Sequence, residues 1–117
     1  MTNANNLRRG SVYLVNLDPV ICHEQGKTRP CLIISDDRFN NSKADLIVVL
    51  PMTTKVQQNP WSIKIESKAT GLNIDSYVLC AQIITISKKR LCSDELGYLD
   101  NKYFSLINER LGYLLSL

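Results

Sequence analysis

The residues best suited to chemistry lie in one short stretch, residues 23–30, which reads HEQGKTRP and separates two predicted strands. Arg29 carries a planar guanidinium whose N–H groups match the oxygens of a phosphate. Gly26 permits a close approach of the backbone to a ligand, and Pro30 favours extended geometry at Arg29. The stretch therefore indicates a phosphate-binding loop at a strand entrance, or, in the simpler interpretation, a surface turn with solvated charges.

The elements that must position this loop follow from the pattern of apolar residues. Strands are predicted where apolar residues run continuously or alternate with polar ones, and loops where polar residues cluster. From the N-cap Asp100 onward, apolar residues recur every three to four positions, which predicts an amphipathic helix that covers the sheet. The predicted strands are residues 12–17, 31–34, 46–52, 62–66 and 77–86 with a short edge strand at 97–99; the predicted loops are 20–28, 36–45 and 53–61, and 88–91 is a single helical turn. This order implies an α+β, mainly β fold: a small antiparallel barrel or curled sheet with a C-terminal helix.

Length and composition limit the classes of protein to consider. A chain of 117 residues with 44% hydrophobic residues fits one domain spanning residues 1–117. The net charge of +3 is too mild for a histone-like protein, although local basic clusters allow a small face that binds a polyanion. No apolar run reaches the length of a membrane span and no signal-peptide core is present, so we expect a soluble intracellular protein.

The four cysteines and the single histidine are spaced poorly for a zinc site, since no C-x-x-C pair occurs. Cys31 and Cys80 lie within apolar runs. We therefore predict that they are buried thiols rather than partners in a disulfide, as suits a reducing cytosol.

Two segments, residues 9–19 (RGSVYLVNLDP) and 24–30 (EQGKTRP), closely resemble the MazF/PemK family, and the likeness continues through 49–53 (VLPMT) and 82–86 (QIITI) to the final helix. Members of this family are toxin endoribonucleases of bacterial toxin–antitoxin pairs. The resemblance implies an SH3-like barrel, a cytoplasmic homodimer, and cleavage of single-stranded RNA at short sequences without a metal or other cofactor. It also implies inhibition by a cognate antitoxin, through which the toxin is bound to DNA.

Carried over by position, the family's catalytic residues fall on Arg29 and Thr53. The implied reaction is in-line attack of a ribose 2'-hydroxyl on the adjacent phosphorus, which leaves a 2',3'-cyclic phosphate and a 5'-hydroxyl. Arg29 would neutralise the charge that develops on the phosphorane. Thr53 would orient the attacking hydroxyl or accept its hydrogen bond. Glu24 and His23 are the candidates for the general base, and for each the alternative is a solvated loop residue.

The resemblance also implies a set of substrate-binding residues. Backbone donors and one ammonium would follow the RNA, while the amide of Gln82 would read a base edge. Candidate stacking surfaces are Phe39, Tyr13 and Trp61, with a core or dimer role as the alternative for Tyr13 and a flap or interface role for Trp61. The predicted substrate-binding residues are Glu24, Gln25, Gly26, Lys27, Thr28, Thr54 and Gln82.

Three positions depart from the pattern of many relatives: Ser11 replaces an acid, Cys22 a glycine and Ile84 an arginine. The change at Ile84 removes a cation that would face the RNA groove, so we expect a weaker activity or a shifted RNA preference. Two alternatives to a sequence-selective nuclease follow. One is a gyrase-poisoning toxin on the same fold, which would not need Arg29 and Thr53 together; the other is a nucleic-acid-binding module with weak catalysis.

Overall fold

The computed structural model describes residues 6–17 and 28–117, and within them seven strands form one antiparallel sheet. The strands are β1 (Ser11–Asn16), β2 (Thr28–Ile33), β3 (Leu46–Thr53), β4 (Ser62–Ile65), β5 (Ser76–Leu79), β6 (Ile84–Ser87) and β7 (Gly97–Tyr98). Their order across the sheet is β4-β5-β3-β2-β1-β7, and β6 pairs with the first half of β3. The mainly β, antiparallel fold predicted from the sequence is confirmed.

Within these described ranges, three helices accompany the sheet: α1 (Asp37–Asn40), α2 (Ser67–Thr70) and α3 (Asn101–Leu115). The predicted N-cap of α3 is confirmed, because the Asp100 side chain accepts a hydrogen bond from the backbone N–H of Lys102 at 3.2 Å. The predicted helical turn after β6 is a 3₁₀ turn at Lys88–Arg90. In the described residues, no helix is both long and apolar enough to cross a membrane.

Apolar side chains pack on both faces of the sheet, which explains why the central strands read as continuous apolar runs. On one face, Phe104 and Ile107 of α3 pack against a cluster that includes Leu32, Leu50 and Val78. On the other face, a second cluster contains Tyr13, Val15, Cys31, Ile33, Ile47, Val49, Ile86 and Leu91. We call these the helix face and the open face.

Cys31 and Cys80 are free and buried, as predicted.

Two predictions of local structure are wrong. The single strand predicted over residues 77–86 is two strands, because the chain turns after β5 and the N–H of Gln82 donates to the carbonyl of Leu79 at 3.1 Å. The loop predicted over residues 36–45 contains α1, since the side chain of Asp36 caps the N–H of Arg38 at 2.8 Å. In both segments, short-range hydrogen bonds that the apolar pattern does not reveal decide the structure.

Candidate active site

A cavity of about 240 Å³ lies where strands β2 and β3 separate. The pairing between these strands ends at Cys31, which lies opposite Pro51. Pro30 and Pro51 have no backbone N–H, so neither can donate a hydrogen bond that would extend the ladder. The strands therefore part beyond this pair, and the space between them is lined by Arg29, Pro30, Met52, Thr53, Thr54 and Ser76.

Arg29 supplies the positive charge of this cavity. It is the second residue of β2, lies opposite Val15 of β1, and is exposed. No carboxylate of the described residues forms an ion pair with it. Since its charge is not neutralised by these residues, the guanidinium is available to bind an anion.

The charge of Arg29 also reaches the thiol of Cys31, two residues further along β2. Burial raises the pKa of this thiol to about 12, and the nearby Arg29 acts in the opposite direction without overcoming the burial. The thiol therefore stays protonated at neutral pH, and Cys31 is a packing residue rather than a nucleophile.

Thr53 and Thr54 supply hydroxyl groups to the same cavity. Thr53 is the last residue of β3 and is half-buried. Its Oγ1 accepts a hydrogen bond from the backbone N–H of Lys55 at 3.2 Å, which fixes the side chain and leaves its O–H free to donate. The structure thus brings together three predicted site residues, Arg29, Thr53 and Thr54.

Ser76 lines the cavity, although the sequence analysis did not identify it as a site residue. It is only 5% exposed, and its hydroxyl makes a long 3.5 Å contact with the carbonyl of Ile74. The sequence shows a lone serine at a strand entrance, which carries no signal for a site. Only the pairing of β5 with the last residues of β3 places it beside Thr53.

The other predicted site residues lie elsewhere. Thr28 is exposed at the start of β2, opposite Asn16, and is not part of the cavity lining. Gln82 is exposed in the turn between β5 and β6, so its predicted placement within a strand is wrong, and its contact with a base edge stays a prediction. Predictions for Cys22, His23, Glu24, Gln25, Gly26 and Lys27 fall outside the described residues.

A second groove, of about 510 Å³, runs between the end of β1 and strand β6. It is lined by Asn16, Leu17, Ile84, Thr85, Ile86, Ser87 and Arg90. Ile84 packs against the open-face cluster, and Arg90 brings a guanidinium into the same groove. The sequence shows three consecutive basic residues at 88–90, and only the 3₁₀ turn determines which of them lines the groove.

Ser11, one of the three positions expected to depart from the family pattern, lies beside a carboxylate. Ser11 is fully buried, and its hydroxyl donates a hydrogen bond to Glu95, which also pairs with Arg8 at 3.4 Å. Glu95 therefore places a carboxylate beside the position where an acid is expected in many relatives. Partial burial raises the pKa of Glu95, but hydrogen bonds from Ser11 and Arg8 outweigh that effect and hold it below its ordinary value.

A third cavity, of about 400 Å³, lies between α1 and the start of α3 and differs from the first in its charge. Asp36 pairs with Arg38 at 3.2 Å, and the carboxylate of Asp37 accepts a hydrogen bond from the N–H of Arg9. The Arg9 guanidinium lies 4.2 Å from the centre of the Phe104 ring and donates to Asn108. Because these charges already have partners, we do not assign an anion to this cavity.

Of the predicted stacking residues, Tyr13 is only 4% exposed and belongs to the open-face cluster. Its alternative as a core residue is therefore confirmed. Phe39 and Trp61 are 38% and 37% exposed, so their rings are accessible to a ligand.

These features describe a mainly β protein with a cavity at one end of its sheet that is lined by an arginine and two threonines. Comparison with known proteins gives the family. The family described as PemK-like, MazF-like toxin of type II toxin-antitoxin system matches residues 8–115. The chain therefore belongs to this family. It is 35% identical over 113 residues to Endoribonuclease EndoA of Bacillus subtilis, covering 95% of this chain and 96% of that protein. It is also 35% identical over 113 residues to Endoribonuclease MazF of Staphylococcus saprophyticus, covering 95% and 92%.

Solved structures agree with this assignment. An endoribonuclease in complex with its cognate antitoxin, from Mycobacterial species, superposes with a TM-score of 0.75 at 25% identity, covering 95% of this chain and 96% of that chain. MazF from Deinococcus radiodurans superposes with a TM-score of 0.79 at 21% identity, covering 96% and 98%. The second likeness supports the fold alone.

Proposed function

We propose that this protein is the endoribonuclease toxin of a toxin–antitoxin pair and that the cavity at Arg29 holds the scissile phosphate of a single-stranded RNA. The observation that carries this proposal is the placement of Arg29 and Thr53 in one cavity at the point where β2 and β3 part. Membership of the family and two relatives named as endoribonucleases support the same activity.

The geometry supports the 2'-hydroxyl mechanism with a division of roles. Arg29 donates to the non-bridging oxygens of the phosphate, where negative charge grows in the transition state; a preorganised donor of this kind contributes about 10²- to 10³-fold in rate. Thr53 contacts the ribose 2'-hydroxyl and aligns it with the phosphorus. Thr54 and Ser76 offer further hydroxyls at the edge of the same cavity.

The proposal extends to partners. The structure in complex with a cognate antitoxin supports inhibition of this chain by an antitoxin of its own. A segment that carries carboxylates would compete with RNA for Arg29, since both place oxygens on the same guanidinium. We also propose a homodimer that is sequence-selective, because two copies related by a two-fold axis would join their cavities into one longer RNA groove.

The gyrase-poisoning alternative gains no support from the site. Binding a protein partner requires neither an accessible arginine nor a hydroxyl in one small cavity. The weakly catalytic alternative depends on Ile84, a change that leaves Arg29 and Thr53 together in the first cavity. We therefore favour the nuclease.

The test is an analysis of products. Purified protein is incubated with a long single-stranded RNA in excess chelator, and the new ends are identified by sequencing and by enzymatic end-labelling. The expected result is cleavage at a short recurrent sequence, leaving a 2',3'-cyclic phosphate and a 5'-hydroxyl. Intact RNA at enzyme concentrations equal to that of the RNA, or random cleavage that leaves 5'-phosphates, would contradict the proposal.

A further inference from the structure

The candidate active site continues beyond its cavity as a row of side chains across four strands. Thr53 of β3 pairs with Tyr77 of β5, and Tyr77 pairs with Lys64 of β4. Arg29 of β2 lies across the cavity from Thr53, since both residues line the space where β2 and β3 part. The row therefore runs Arg29, Thr53, Tyr77, Lys64 across the end of the sheet.

The members of this row point to the open face. Side chains alternate between the faces of a strand, and the neighbours Met52, Val78 and Ile63 belong to the cluster beneath α3. Thr53, Tyr77 and Lys64 must then lie on the opposite face. Arg29 shares that face because Cys31, two residues along the strand, belongs to the open-face cluster.

This end of the open face is accessible. The open-face cluster draws its residues from other parts of the sheet and includes none from β4 or β5. Lys64 is exposed, and within residues 6–17 and 28–117 no carboxylate forms an ion pair with it. The nearest carboxylate in sequence, Glu66, pairs instead with Lys68 at 4.0 Å. Lys64 is therefore a second available cation on the same surface as Arg29.

The spacing suits one strand of RNA. Two steps between paired strands of about 4.8 Å place the backbones at Thr53 and Lys64 about 10 Å apart, and Arg29 lies further away, across the cavity from Thr53. An RNA strand that presents one phosphate to Arg29 presents the phosphates of nearby nucleotides at such separations. Tyr77 lies between the two cations, where its ring offers an apolar surface to the intervening nucleotide.

We propose that Lys64 binds a second phosphate of the RNA, a short distance along the strand from the phosphate held by Arg29. This inference rests on the proposed function and adds a positioning residue to it. An ammonium is a point charge without the directional fork of arginine, so Lys64 contributes affinity and alignment rather than base selectivity. Its effect falls on the binding of RNA and not on the chemical step.

The experiment compares Lys64→Gln with Lys43→Gln, a matched loss of one positive charge. Lys43 is exposed and precedes β3, at the opposite end of the strand that terminates in Thr53. KM and kcat for a long single-stranded RNA are measured between 0.1 and 1 M salt. For single strands, each phosphate contact contributes a slope of about 0.7 in log affinity against log salt. The ratio of the KM of Lys64→Gln to the KM of the wild type is therefore expected to be about five times larger at about 0.1 M salt than at about 1 M.

Three further results are expected if Lys64 binds phosphate. Lys43→Gln leaves the salt slope unchanged, Lys64→Arg restores it, and kcat stays within two-fold of the wild type in all variants, as about 0.4 kcal/mol of transition-state change would allow.

The outcomes separate the inference from the function on which it rests. If wild type cleaves RNA but the two glutamine variants share one salt slope, the inference is overturned and the proposed function stands. If Lys64→Gln lowers kcat on the long RNA by more than two-fold, Lys64 acts at the reacting phosphate and the inference is again overturned. If wild type cleaves no RNA, the proposed function and this inference fail together.

Discussion

The two faces of the sheet differ in what covers them, although the same strands form both. The helix face is covered by α3, whose Phe104 and Ile107 are 6% and 0% exposed. The open face has its own apolar cluster around β1, β2 and β6, but it becomes polar at Thr53, Tyr77 and Lys64. Because side chains alternate along each strand, one sequence can build a core on one face and a binding surface on the other. Stability and chemistry are thereby assigned to neighbouring residues of the same strand.

The largest expected effect is on stability, at the helix face. Ile107→Ala removes a fully buried side chain from the contact between α3 and the sheet. Truncations of this kind cost about 2–5 kcal/mol, since they lose apolar burial and leave a cavity. Denaturant unfolding of the variant should show this loss.

Leu106→Ala is the control for Ile107→Ala, because the adjacent side chain is 42% exposed. It should cost far less, as surface substitutions usually do. If both variants lose the same free energy of unfolding, the helix face is not the main source of stability and the contrast between the faces does not hold.

The next effect is on catalysis, at the open face. Thr53→Val removes the hydroxyl that we assign to the attacking 2'-OH, and kcat should fall about 10²-fold. The fold should persist, since Thr53 is only half-buried. Thr53→Ser keeps the hydroxyl and the bond from Lys55 and should retain most of the rate. If Thr53 matters only for structure, both substitutions should lower the free energy of unfolding and neither should lower kcat.

A smaller effect is expected in the second groove, where a substitution tests whether RNA binds. Ile84→Arg adds a guanidinium where many relatives are expected to have one, next to Arg90. Because of one added phosphate contact, the gain in RNA affinity of this variant over wild type should be about five times larger at about 0.1 M salt than at about 1 M. Filter binding across that range measures the gain. An unchanged salt slope would show that RNA does not enter this groove.

The smallest effect concerns Glu95, at the edge of the sheet. Its pKa in the folded protein is below its ordinary value of 4.5, because hydrogen bonds from Ser11 and Arg8 favour the carboxylate. A depressed pKa means that the carboxylate stabilises the fold above its ordinary pKa and that this contribution is lost as the pH falls through the folded value. Exposed pairs contribute about 0–1 kcal/mol.

Glu95→Gln tests this by the pH dependence of unfolding. The stability difference between wild type and variant should be present at pH 7 and should shrink as the pH falls below 4.5. A difference that grows toward acid pH would reverse the sign of the argument.

The sequence predicted the sheet well where the physics is local. Alternation at residues 62–66, continuous apolar runs at β2 and β3, and the spacing of apolar residues after Asp100 each correspond to an element of the structure. It failed at residues 77–86, where a turn held by the N–H of Gln82 divides one apolar run into two strands. A hydrophobic pattern cannot report such a break, because both strands are apolar on the sides that pack.

The site was predictable only in part. The resemblance selected Arg29 and Thr53, and the structure places both in one cavity. Ser76, Tyr77 and Lys64 could not be found, because their positions depend on how β4 and β5 align with β3. Register is a long-range property: a shift of one residue would move each of these side chains to the other face.

The most direct test of the account is the rate of RNA cleavage by Arg29→Ala, measured with the free energy of unfolding of the same sample. Arg29 is exposed at the open end of the sheet, so its truncation should leave stability unchanged while the cleavage rate falls about 10²- to 10³-fold. Lys43→Ala, which also removes one exposed charge, should change neither quantity. Cleavage by Arg29→Ala at the rate of Lys43→Ala would contradict the assignment of the scissile phosphate to this cavity.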